Sequence, residues 1–406
     1  MRIGMILDKE FPFDTRVENE ALSLLKAGYQ VHLLCFSFNG NSEKIVYKGI
    51  ITHRLHVAKQ FQKKFRNIVT HIPIYSIYWQ NKIRDFIREN GIDVLHLHDL
   101  PLASTIENTK SKFKTAIVLD LHENYPFALR NYAFTKNFGA RLLISAEKWE
   151  RKEIEWCNKA DYLITVIEEA VERYHSLGIP KEKLTVVSNY VNQDEFLSSI
   201  KSRTKDTLHI LQKFKGKFVV TYIGGFDMHR GLESVIRAMP LLIKKCKDAK
   251  LVLVGTGRNL TTLIKLSQNL KVDKYISFEG WQPPSILPSY LKASDVCLIP
   301  HLKTVQTDNT IPHKLFQYML LERPVVSTDC NPIRRIVSET RCGLVYRSGD
   351  YEGLSECIMK LYEDYELRRE MGKRGKKAVL EKYNWRNTSR NLIELYKTIE
   401  NSIRYR

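Results

Sequence analysis

The sequence predicts an α/β protein built from two doubly wound, Rossmann-like domains. Three observations carry that expectation. Short apolar runs alternate with longer segments of helical periodicity, the pattern of strands and crossover helices in parallel sheets. The series runs to about residue 190, and after a polar, Lys-rich stretch at 198–217 it starts again. The chain's 406 residues exceed one ordinary domain, and its 43% hydrophobic content can fill two packed cores. Disorder, collagen-like repeats and disulfide-stapled miniature folds are excluded by the same figures.

The first set opens with a strand over 3–7. Residues 16–27 follow as a helix with Val17, Ala21, Leu24 and Leu25 on one face, stopped by Gly28. A second strand, 31–36, completes a βαβ unit. Runs at 93–97 and 116–121 are further strands, each entering a polar loop with a histidine, and 162–166 and 184–187 close the set. The second set begins with a strand at 218–223, then Gly224-Gly225, a helix over 232–246, and a strand at 251–254 ending in Gly255-Thr256-Gly257. Strands at 276–278, 296–299 and 324–328 continue it, and the chain beyond about 352 is helical and basic. The predicted domains are 1–195 and 196–384, with 385–406 a helix packing back on the first.

Lys and Arg number 64 against 45 Asp and Glu, a formal charge of +19. Such a surplus points to an anionic partner: nucleic acid, phospholipid headgroups or a phosphorylated substrate. No helix-turn-helix, zinc-finger or aromatic RNP signature is present, so no nucleic-acid partner is expected. Residues 44–84 hold nine Lys or Arg and no Asp or Glu. Within them Lys59, Lys63, Lys64 and Arg66 alternate with Phe61, Phe65, Ile68 and Val69 at helical spacing. Membrane-surface segments share that pattern with ordinary solvated helix faces.

The seven cysteines, at 35, 157, 246, 297, 330, 342 and 357, show no CxxC and no His/Cys cluster. Free thiols in a reducing compartment are expected, with no metal and no cofactor. No apolar run reaches the roughly 18 residues of a transmembrane helix. The opening residues turn polar too soon for a secretory leader. A cytoplasmic protein, peripheral to the inner face of the membrane if attached at all, is expected.

Ligands of doubly wound sheets bind beyond the carboxyl ends of the strands, so the candidates lie in the loops after them. Gly224 to Gly231 follows a strand and opens a helix. Glycine lets backbone approach a ligand, a helix N-terminus favours an anion, and Arg230 adds a full charge, which together suit a diphosphate. A tight turn with a solvated arginine explains the same residues. Asn309-Thr310-Ile311-Pro312-His313-Lys314 lies at or before a helix carrying Leu315, Gln317 and Met319; a capped core helix is the plainer alternative. His98-Asp99 and His122-Glu123 end two strands at one sheet edge, where histidine beside a carboxylate serves as base, donor, metal ligand or structural group. Asp14 to Glu18 faces that edge too, with Asp14 either a site residue or a helix cap.

Taken in order, these segments resemble family 4 (group 1) of the retaining glycosyltransferases, whose two Rossmann-like domains face a central cleft in the arrangement called GT-B. Phe11-Pro12-Phe13-Asp14-Thr15-Arg16 looks like the family's first acceptor-side loop. The run from Val94 to Asp99 and that from Leu119 to Glu123 look like its two histidine strand ends, and the segment from Val187 to Phe196 like its entry to the second domain. Tyr222 to Glu233, Leu251 to Gly257, Phe278 to Trp281 and Lys314 to Val326 complete the set.

The resemblance implies a nucleotide-sugar donor bound by the second domain, at Gly224, Gly225, Asn309, Thr310, Ile311, Pro312, Lys314 and Gln317. It implies an acceptor on the first domain near Asp14, Arg16 and His98, and catalytic roles for His122 and Arg230 without metal. The expected function is hexosyl transfer to a saccharide or lipid-linked acceptor in cell-surface polysaccharide or glycolipid assembly, with Lys59, Lys63, Lys64 and Arg66 meeting an anionic membrane. Asn309 and Gln317 stand where the family commonly carries two glutamates. That departure motivates a rival reading, a nucleotide-sugar-binding partner protein with weakened catalysis.

Overall fold

The computed structural model describes residues 1–38, 40, 43–58, 73–131, 145–200 and 205–405; Lys59, Lys63, Lys64 and Arg66 lie outside the described residues. The chain divides into two compact units, Met1–Ser188 with Arg386–Arg406, and Asn189–Trp385. The division falls after Ser188 instead of after residue 195. Val191 forms a parallel bridge with Asn384, and its carbonyl accepts from the Trp385 N–H, which fastens the incoming strand to the end of the second unit.

The first unit holds β1 (Arg2–Glu10), β2 (Gln30–Ser37), β3 (Glu43–Tyr47), β4 (Ile50–His56), β5 (Val94–His98), β6 (Ala116–Leu121), β7 (Tyr162–Thr165) and β8 (Leu184–Val186). They form one sheet in the order β3-β4-β2-β1-β5-β6-β7-β8. All neighbours are parallel except β3 with β4. Helices cover both faces, so Ile3, Met5, Ile6 and Leu7 are buried without alternation. The first helix, Thr15–Lys26, starts because the Asp14 side chain accepts from the Arg16 and Val17 N–H groups, and it buries Val17, Ala21 and Leu24.

The stretch 44–84 is not one continuous basic segment. Its first part is the β3–β4 hairpin, turned at Lys48-Gly49 with φ of 48° and 89°, and its last part opens the helix Pro73–Asn90. The charged residues of β3 lie on an edge strand, where charge discourages further pairing. The C-terminal helix, Trp385–Arg404, returns to the first unit and buries Leu392, Tyr396 and Ile399.

The second unit holds β9 (Phe218–Ile223), β10 (Ala249–Val254), β11 (Ile276–Gly280), β12 (Val296–Ile299), β13 (Val325–Thr328) and β14 (Gly343–Tyr346). They pair in the order β11-β10-β9-β12-β13-β14, all parallel. The strand order reverses between β1 and β5 in the first sheet and between β9 and β12 in the second. Those reversals open crevices at the carboxyl ends of the strands.

Candidate functional site

In the second unit the crevice is cationic. β9 ends at Ile223, just before Gly224, and a single turn, Met228–Arg230, brings Arg230 to β12's far end, where its Nη1 lies 3.1 Å from His301 Nε2. Gly231, at φ 68°, then starts the helix Leu232–Lys245; a Cβ there would sit 1.9 Å from the Pro300 carbonyl oxygen. Lys314, the first residue of the helix Lys314–Leu320, places its Nζ 4.0 Å from the centre of the Tyr222 ring. A Cβ on Gly224 would lie 2.5 Å from that Nζ, so glycine is what admits the amine.

Lys314 Nζ and Arg230 Nε are buried atoms without a hydrogen-bond partner among the described residues. Burial, reinforced by Arg230, holds Lys314 well below the ordinary lysine range. Burial, with Lys314 and Arg230 adding to it, depresses His301 in the same way. Asp227, in the same turn, is paired with Arg258 at 3.3 Å. Among the described residues no carboxylate pairs with Arg230, Lys314 or His301, so these three basic groups oppose one another's charge, and an anion placed among them would relieve it.

The neighbouring loop is held by its own side chains. Asn309 Nδ2 donates to the Val305 carbonyl at 2.7 Å, and Thr310 Oγ1 donates to that of Gln306 at 3.0 Å. Ile311 is buried, the Pro312 carbonyl accepts from the Leu315 N–H, and Gln317 is half-buried on the following helix. Gly224, Gly225, Arg230 and Lys314 therefore converge, whereas the amide of Asn309 and the hydroxyl of Thr310 brace the loop.

In the first unit the crevice at β1 and β5 holds a buried polar network centred on Asp120. Arg16 grips that carboxylate with Nε at 3.0 Å and Nη2 at 2.7 Å, donates from Nη1 to the Val187 carbonyl at 2.7 Å, and brings Nη2 2.9 Å from Glu20 Oε1. His98 Nδ1 lies 3.2 Å and His122 Nε2 2.6 Å from Asp120 Oδ2. His122 Nδ1 meets Asp99 at 3.2 Å, and Lys9 Nζ holds the other Asp99 oxygen at 2.7 Å. Arg16 and His98 are thus buried, Asp14 caps the first helix, and both ring nitrogens of His122 face carboxylates.

Burial opposes charge on His122, but Asp120 and Asp99 outweigh it and raise its pKa to about 9. Burial would raise Asp99, yet His122 and Lys9 bring it down to about 2. Burial pushes Glu20 up to about 8 against the pull of Arg16. Burial, then His96, lowers His98 to about 3. His122 enters neutral solution as a cation and His98 as a neutral ring.

One ligand atom from each of Glu20, His96, His98 and Asp120 lies within 4.8 Å of the others. The group does not suit a divalent ion, because Arg16 already occupies both Asp120 oxygens and faces Glu20. The set is an arginine–carboxylate–histidine network. Sequence reading passed over Glu20, His96 and Asp120. His96-Leu97-His98 puts both rings on one face of a strand, and Arg16 and Glu20 are one helical turn apart, so the signals were period two and i,i+4.

These charge states set a pH dependence. The native His122 pKa lies above the unfolded value near 6.5, so its contribution is complete below that pH and is lost as pH rises through about 9. Glu20, also raised, acts in the same direction. The His122 share is on the order of 3 kcal/mol. The first unit's melting temperature should therefore fall between about pH 6.5 and 9.5, whereas depressed Lys314 acts in the opposite direction in the second unit, and His122→Gln should flatten the first unit's fall. A level profile in the wild type would refute the network's charge assignment.

Residues 14–195 match the family described as Glycosyltransferase Family 4, and residues 204–378 match Glycosyl transferases group 1. N-acetyl-alpha-D-glucosaminyl L-malate synthase of Bacillus anthracis is 23% identical over 379 residues, 93% of this chain and 90% of that protein. Phosphatidyl-myo-inositol mannosyltransferase of Mycolicibacterium smegmatis is 23% identical over 429 residues, 98% of this chain and 94% of that protein. Sucrose-phosphate synthase from Thermosynechococcus elongatus superposes with a TM-score of 0.78 at 17% identity, covering 99% of this chain and 100% of that one. HepE from Anabaena in complex with UDP gives 0.72 at 14% identity, covering 98% and 100%. At such identities the solved structures speak to the fold alone.

Proposed function

Because this chain belongs to the group 1, family 4 glycosyltransferases and has their GT-B fold, we propose that it transfers a hexosyl unit, with retention and without metal, from a nucleoside diphosphate-sugar to a hydroxyl acceptor. The carrying observation is the Arg230–Lys314 pair, a guanidinium and an amine whose charge a bound anion would stabilise, at the switch point of the second sheet with no carboxylate against either among the described residues. As the glycosidic bond breaks, the leaving diphosphate gains negative charge. Fixed cations there stabilise the transition state more than the ground state. The acceptor belongs, on this reading, to the first unit, above the network of Lys9, Asp99 and His122.

A saccharide or lipid-linked acceptor in polysaccharide or glycolipid assembly fits the family and the relative named for phosphatidyl-myo-inositol. The net charge of +19, with nine basic and no acidic residues in 44–84, supports work at the inner face of an anionic membrane. Among the described residues no helix is long and apolar enough to cross a bilayer.

Thermal-shift measurements with UDP and GDP in EDTA test the donor site. A ligand at 100 times its Kd adds about 2.7 kcal/mol, so one of the two should raise the melting temperature by several degrees. Arg230→Ala should abolish that shift and lower turnover about 10²–10³-fold, while Arg230→Lys recovers much of both. Absence of any shift at millimolar nucleotide would defeat the reading. A shift without donor hydrolysis or transfer would favour the rival, a nucleotide-sugar-binding partner, in which the neutral Asn309 and Gln317 mark the weakened step.

A further inference from the structure

We propose that Asp99 is a positioning residue that, together with Asp120, fixes His122 as an imidazolium paired with two carboxylates, a cation through neutral pH and not a base. The catalytic meaning of this rests on the transferase reading; the charge state does not.

The backbone points to Asp99 first. Its φ of 71° and ψ of 149° lie at the border of a region that is essentially confined to glycine. An aspartate persists there only if its surroundings over-determine it, and three contacts do so. Its N–H donates to the Asp120 carbonyl at 2.9 Å, one carboxylate oxygen receives Lys9 Nζ at 2.7 Å, and the other faces His122 Nδ1 at 3.2 Å. Strain at a position whose side chain clamps a histidine is the pattern expected of a functional constraint.

The clamp leaves His122 no free nitrogen. Nε2 is hydrogen-bonded to Asp120 at 2.6 Å and Nδ1 lies 3.2 Å from Asp99 as an ion pair, so a carboxylate stands against each nitrogen and the protonated ring is the form both favour. Charged and titratable groups face the ring from several elements. Asp120 from β6 and Asp99 after β5 favour the charge. Arg16 from the first helix and the rings of His96 and His98 on β5 oppose it, as does Lys9 on β1 at one remove, through Asp99. Glu20, buried on the first helix and raised to about 8, is largely protonated at neutral pH and adds little. The carboxylates prevail, with the His122 pKa raised to about 9 after burial is overcome.

A ring in this state cannot take a proton from an acceptor hydroxyl. Transfer should therefore show no rise near pH 6.5, where a histidine base would titrate, but a plateau through neutrality and a decline toward pH 9. The acceptor proton must leave by another group.

Long-range 1H–15N NMR of the full chain with labelled histidine reads the ring directly, without knowledge of donor or acceptor. In the wild type His122 should give an imidazolium signal at pH 7.5 and titrate near 9. Asp99→Asn should lower that midpoint by roughly one to two units. Lys9→Met should raise it, because it removes the cation that competes for Asp99. If Asp99→Asn does not fold, the opposite-signed Lys9→Met shift still decides. A neutral His122 ring at pH 7.5 in the wild type overturns the proposal, as does an unmoved midpoint in Asp99→Asn or a lowered one in Lys9→Met. Absence of transferase activity with these shifts intact would instead overturn the transferase reading and leave the positioning role standing.

Discussion

Lys314→Met should raise the melting temperature of the ligand-free protein while lowering transfer by about 10²–10³-fold. The two effects have one cause. Lys314 Nζ is buried, lacks a hydrogen-bond partner among the described residues, and is depressed by burial and by Arg230. An unsatisfied buried polar group costs about 1–3 kcal/mol, and methionine fills similar space without one. In a unit of this size each kcal/mol moves the melting temperature by about 2–4 °C. Calorimetry of the second unit's transition and a transfer assay on the same preparation check both signs. A variant that melts lower and still transfers would make Lys314 an ordinary core residue.

Asp120→Asn should be the most destabilising single change in the first unit, at about 3–5 kcal/mol. Its carboxylate neutralises buried Arg16 and half-buried His122 and accepts from buried His98. An amide removes the charge and turns one acceptor into a donor facing donors. The loss is large because the partners stay largely out of water, with Glu20, Asp14 and Asp99 left to balance them. Denaturant unfolding should show a lower midpoint at unchanged slope. By contrast Glu172→Gln, which breaks the exposed Lys181–Glu172 pair, should leave the midpoint where it was. Equal midpoints for wild type and Asp120→Asn would remove the network from the account of stability.

Much of this was legible in the chain. β6, β9 and β12 have the bounds that their apolar runs predict, since strands covered on both faces need continuous apolar sequence. The β3–β4 hairpin was hidden because its edge strand is charged, and β14 because it opens on Gly343 and runs straight into the polar Arg347-Ser348-Gly349. The turn that carries Arg230 in the second unit could be read because Gly224, Gly225 and Arg230 are close in sequence. Asp120 could not. It lies inside a strand, and its meaning comes from Arg16, 104 residues earlier, through contacts that local pattern does not encode. The same holds for His122, whose apparent freedom at a strand end disappears once Asp99 and Asp120 are seen on either side of it.

The C-terminal helix gives the two units different histories on the ribosome. The second unit is one uninterrupted stretch, Asn189–Trp385, and can close its core as soon as that stretch has emerged. The first unit is made in two instalments. Its sheet is synthesised early, but Tyr396, whose hydroxyl lies 2.8 Å from His96 Nδ1 beneath the polar network, comes after the whole of the second unit. Until then the Ser188 N–H lacks Thr388 Oγ1, the Val186 carbonyl lacks Asn391, and the groove taken by Leu392 and Ile399 stands open. The nascent first unit therefore waits, incompletely sealed, through the translation of almost half the chain. Its buried charges are locked in place by residues that follow the whole of the second unit.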